Sequence, residues 1–153
     1  MDHTQKLLQA IVENGRVGED ACAQLLTRAQ DMAIRHELMI EKQHYASAVR
    51  DAEARLYEMG ARPHPKGPAA RAGMWMGMQM NTMMDKSAAH IAEITIQGAT
   101  MGVVELTRAR NTYSEASADA QGIASWLLTR QQEAIDRLKG FLVEREIEET
   151  PAR

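Results

Sequence analysis

Apolar residues recur along most of this chain at alternating steps of three and four, the spacing that gathers one face of an α-helix. The first such segment runs from about Thr4 to Ala29 and carries the stripe Leu8, Ile11, Gly15, Gly18, Cys22, Leu25 and Ala29. Its glycines weaken the helix but let a neighbouring backbone or bulky side chain come close. A short break near Arg28 to Asp31 leads to a second segment ending at Gly60, a natural C-terminal stop. Its stripe is Ile34, Leu38, Glu41, Tyr45, Val49, Ala52, Leu56 and Met59. A third segment is predicted from Met83 to Tyr113, with Ala92, Ile96, Ala99, Val103 and Leu106 inward. After a turn at Ser114 to Ser117, a fourth reaches about Val143, with Ala124, Leu127, Gln131, Ala134, Leu138 and Phe141 inward.

The connections carry as much information as the helices. Between the second and third segments the chain passes from Gly60 to Gly73 through Pro63, Pro65 and Pro68, a density that forbids regular helix. The other two connections are short. One long connection in the middle is the mark of ferritin-like bundles, whereas up-down-up-down bundles need only short loops. The fold is therefore expected to be all-α: an antiparallel, ferritin-like four-helix bundle with a long crossover between helices 2 and 3. Residues 1–143 form one domain in this reading, and 144–153 a charged, frayed tail.

The layout, with Gly60-Ala-Arg-Pro63 closing the second helix and Trp75 beyond a Gly/Pro-rich connection, resembles an uncharacterised family of bacterial ferritin-like proteins. The likeness spans roughly residues 5–142. It implies a four-helix bundle of undetermined biochemical role, and related ferritin-like bundles have been linked to stress responses. Members of that family tend to carry a Gly-Glu pair in helix 3, where this chain has Gly98-Ala99.

A metal site is the first chemistry to weigh. Ferritin-like di-metal proteins use two Glu-x-x-His motifs and two further glutamates. Here Glu41 to His44 is a single copy. Fourteen Glu and five His placed at random would yield about half a copy, so one is weak evidence. Depth favours a site: at 1.5 Å per residue, Glu19 and Glu41 both fall ~16 Å from the turn joining the first two helices, and Glu93 and Glu133 fall near the same level. Facing opposes it, because at 100° per residue only Glu41 lies near the centre of its apolar stripe. His44, Glu19 and Glu93 sit on rims, Glu133 faces outward, and the inward polar residue of the last helix is the neutral Gln131. The expected set is thus Glu41, His44, Glu19, Glu93 and Glu133 for iron or manganese, against the plainer expectation of a lost or incomplete site. A buried Glu41 would then need a partner such as Gln131, Tyr45 or a lysine.

Met74, Met76, Met78 and Met80 alternate, with Met83 and Met84 just beyond. Clustered thioethers suit Cu(I), but adaptable methionines beside Trp75 equally suit packing of the crossover or an oligomer contact. Ile94, Met101 and Val104 make the third helix apolar on further faces, so a homodimer through this region is expected.

Bulk composition narrows the rest. The 153 residues are 44% hydrophobic and 25% charged, with a net charge of −3, which gives no basic footprint for nucleic acid. No apolar run approaches the ~20 residues of a membrane span, and the N-terminus lacks a secretory pattern. The lone Cys22 suits a reducing compartment, so a cytoplasmic location is expected. No nucleophile elbow, phosphate loop, zinc spacing or dinucleotide fingerprint occurs, and no small-molecule ligand is indicated. His64 and His90 read as surface residues, and Cys22 as an inert buried thiol. The function expected is that of a non-catalytic, homo-oligomeric helical protein; the alternative is a metal-binding one.

Overall fold

The computed structural model describes residues 2–64 and 70–144, with side chains from Gly73 onward in the second stretch. Five α-helices account for most of it: α1 (His3–Leu26), α2 (Met32–Glu58), α3 (Ala70–Asn81), α4 (Ala88–Thr112) and α5 (Ala118–Leu138). A single 3-10 turn, Lys139–Phe141, follows α5, and no strand occurs among the described residues. Residues 145–153, most of the expected tail, lie outside the described residues, as do Pro65 and Pro68.

Each long helix starts on a side-chain cap. Asp2, Asp31, Ser87 and Ser117 accept from the backbone N–H groups of Gln5, Ile34, His90 and Ala120, satisfying donors that have no partner within the helix. The cap on Ser87 moves the start of the third long helix to Ala88, beyond the expected Met83. At the other end of α2, Gly60 takes a φ of 72°. The Gly60 N–H then reaches Tyr57 O and the Ala61 N–H reaches Leu56 O, a double bond pattern that closes the helix. Only glycine enters that conformation without a Cβ penalty.

The Met-rich run forms α3, a helix of its own inside the connection. Spacing of two along the chain becomes four between alternate methionines, one helical turn. Met76 and Met80 are consequently buried, while Met74 and Met78 are largely exposed. The four do not share a face, and the described residues hold one α-helix more than the sequence pattern predicts.

α1 packs along α2, α2 along α5, α5 along α4 and α4 along α1. Neighbours run antiparallel. Arg55 near the end of α2 meets Asp119 at the start of α5, and Arg137 near the end of α5 meets Glu37 near the start of α2. Likewise the ring of His3 at the start of α1 meets Tyr113, just past α4, edge-on. α2 therefore ends where α4 ends, and the crossover must traverse the length of the helices, with α3 lying against α1 and α4. The core is leucine, isoleucine and alanine, including Leu7, Leu38, Ile91 and Leu127 at 0% exposure. Gly15 and Gly18 let α2 approach α1: a Cβ on Gly18 would stand 2.5 Å from the Tyr45 ring. The Ile94 face of α4, expected to need extra cover, is buried, and Met76 of α3 sits against Gly98 one turn further on.

Candidate interior polar site

Midway along the four long helices the core turns polar. Asn14 of α1, Glu41 of α2, Thr95 of α4 and Gln131 of α5 are all buried. Asn14 Nδ2 donates to the Gly102 carbonyl at 2.9 Å, and Gln131 Nε2 donates to Asn14 Oδ1 at 3.0 Å. This chain fixes both amide orientations. The Gly102 carbonyl demands a donor, so Asn14 must offer its oxygen to Gln131, which must then turn its own oxygen away. Gly102 leaves room for it, since a Cβ there would lie 2.9 Å from Gln131 Nε2 and push the amide aside. Thr95 returns its hydroxyl proton to Ile91 O, 2.7 Å away.

Glu41 is 3% exposed, and its Oε2 has no hydrogen-bond partner among the described residues. Burial pushes its carboxyl up to about 8, the neighbouring Glu37 adds to the rise, and Arg137 opposes it. Arg137 is itself tied to Glu37 at 2.8 Å, so Glu41 keeps its proton at neutral pH. Tyr45, one turn on, is raised well above the usual phenol range by burial, with Glu41 and Cys22 contributing. Burial likewise pushes the Cys22 thiol well up, which leaves it a poor nucleophile.

His44 occupies the rim beside Glu41. Its ring meets Trp126 edge-on at 5.6 Å, and burial followed by Arg130 and Arg137 lowers its affinity for a proton. Arg130 lies over the Trp126 ring at 5.7 Å and bonds Glu133 at 3.2 Å. Four buried side-chain atoms lack partners among the described residues: Glu41 Oε2, His44 Nδ1, Arg130 Nε and Gln131 Oε1. All four residues line one crevice of about 10 Å³ between α2 and α5, close to the least volume that admits a water.

Of the five residues expected to hold metal, the structure brings two to this place. Glu41 and His44 share the crevice wall. Glu93 is exposed and lies 3.9 Å from His90 on its own helix, Glu133 is exposed and engages Arg130, and Glu19 is partly exposed. No group of three or more His, Cys, Asp and Glu residues among those described could hold a metal ion. The donor chemistry agrees, because a guanidinium and a single carboxyl line the crevice where a di-metal centre needs several anionic oxygens. The residues present do not fit such a centre. Sequence reasoning missed Asn14, although it stands three residues after Ile11 and four before Gly18 on the inward stripe, and it missed Arg130 and Gly102. His64, expected at the surface, is exposed, but its backbone N–H bonds Gln9 Oε1 at 2.8 Å, and Gln9 also holds Arg62 O.

No protein-family model matches the chain, and neither the curated proteins nor the solved structures offer a match. Among the described residues no helix is long and apolar enough to cross a membrane.

Proposed function

We propose that this chain is a ferritin-like four-helix bundle with a non-catalytic, cytoplasmic role, acting as a homo-oligomer and most simply as a homodimer. The ring of antiparallel neighbours joined by one full-length crossover supports the bundle topology. The observation that carries the function is the amide pair Asn14–Gln131 beside a single buried carboxyl, at the level where a ferritin-like di-metal bundle would gather charged metal ligands. Met74, Met78 and Val104 are exposed and supply apolar surface for a second copy.

Elemental analysis of protein purified without a metal-affinity tag, combined with light scattering on a sizing column, tests both parts. The expected result is a dimer without stoichiometric metal. Two equivalents of iron or manganese that disappear in Glu41→Ala would overturn it. That outcome would favour the second reading, a metal-binding protein, whose support is that Glu41 Oε2 and His44 Nδ1 both lack partners and line one crevice. Copper retained only under reducing conditions would point instead to the methionines, which could act as the exposed pair Met74 and Met78.

A further inference from the structure

The hydrogen-bond chain through the core runs from the Gly102 carbonyl of α4 to Asn14 of α1 and on to Gln131 of α5. It stops at Gln131 Oε1, which is buried and has no partner among the described residues. Three more buried atoms in the same condition line the same crevice between α2 and α5: Glu41 Oε2, His44 Nδ1 and Arg130 Nε. Glu41 and Gln131 are each 3% exposed, so bulk water does not serve them. Tyr45 and Leu127 complete the walls.

Two of the four atoms have a fixed character. Arg130 Nε always carries a hydrogen and only donates, whereas Gln131 Oε1 only accepts. A bare cation would meet the charge of Arg130, and a bare anion would meet the negative end of the Gln131 carbonyl. The occupant must therefore accept from one and donate to the other. The crevice holds about 10 Å³, room for a single non-hydrogen atom. Water is the abundant species of that size that does both.

The other two atoms suit it in either protonation state. With Glu41 ionised and His44 donating through Nδ1, the water accepts from Arg130 and His44 and donates to Gln131 and Glu41. With Glu41 protonated and His44 Nδ1 bare, it accepts from Arg130 and Glu41 and donates to Gln131 and His44. Four partners is the upper end of what interior waters make.

We propose that the crevice binds one ordered water, which extends the amide chain from α5 to α2 and so joins all four long helices at one level. The site depends on the crevice walls and not on the oligomeric state. A high-resolution crystal structure of the full chain should show one peak within about 3.2 Å of both Arg130 Nε and Gln131 Oε1. Magnetic relaxation dispersion of water should count it in solution among the long-lived interior molecules. Arg130→Met keeps an unbranched stem at a partly exposed position and removes the donor. The residence time of that water should then fall by about tenfold or more, the worth of a hydrogen bond to a charged group. A crystal structure without the peak, as when Gln131 Oε1 turns onto the Tyr45 hydroxyl, overturns the proposal. So does a residence time that Arg130→Met leaves unchanged, and both results leave the metal-free reading standing. A peak with the anomalous scattering of a metal overturns the two together.

Discussion

Replacing Glu41 by glutamine should change how stability depends on pH, and the sign follows from the site. The carboxyl titrates near 8 in the folded protein and near its ordinary 4.5 when unfolded. Between those values the folded state binds the extra proton, so stability falls as pH rises and levels off above the folded value. The slope is about 1.4 kcal/mol per pH unit for one proton. His44 works in the opposite direction, because its lowered affinity adds stability as pH rises toward its ordinary ~6.5, and it is complete above that. The thiol and phenol of Cys22 and Tyr45, both raised, act only above ~8.5. A clean window remains from about pH 6.5 to 8, in which the wild-type chain should lose about 2 kcal/mol. Glu41→Gln keeps the shape and the hydrogen-bonding capacity without the titration, so its stability should be flat there. Urea unfolding of both proteins at closely spaced pH values measures this directly. Two parallel curves across the window would refute the assignment of Glu41 as a buried, uncompensated acid.

Three further expectations concern backbone and amides. Gly18→Ala drives a methyl into the Tyr45 ring and should cost about 2 kcal/mol, whereas Gly122→Ala in α5 meets nothing within 4 Å and should gain about 1 kcal/mol; thermal melts of the pair decide whether contact or propensity governs. Asn14→Leu leaves Gln131 Nε2 without its Asn14 acceptor in the core, while Gly102 O keeps its bond within α4, and should destabilise by about 1–3 kcal/mol, measured by denaturant unfolding; a change under about 0.5 kcal/mol would mean the amide pair is not holding the helices. Asp31→Ala removes the cap on the Ile34 N–H and should cost about 1 kcal/mol, with hydrogen exchange rising first in the opening turn of α2.

The helical stripes were readable because burial follows the 3.6-residue period, and Glu41, Gln131 and Cys22 sit inward where that period puts them. The long crossover was readable because proline leaves few alternatives. The helix within it was not, since alternating methionines fit a strand face as well as two faces of a helix, and packing against Gly98 decides between them. Asn14 was hidden for a different reason. A polar residue on an apolar stripe counts against burial until its partners are known, and both partners of Asn14 lie over eighty residues away. The unpaired atoms around His44 and Arg130 depend on side-chain directions that spacing alone does not carry.

Confining the interior polarity to one level has a consequence for alignment. Leucine and alanine seams recur every turn, so shape alone distinguishes weakly between α5 in place and α5 slid by one turn, about 5.4 Å. Such a slide would pull Gln131 off Asn14 and bury the Gln131 amide and Asn14 Oδ1 without each other, at a penalty of about 1–3 kcal/mol for each, while Asn14 keeps its bond to Gly102. The Asn14–Gln131 pair thus acts as an index mark between helices 117 residues apart in sequence, setting their register by polarity where grease alone would leave it loose.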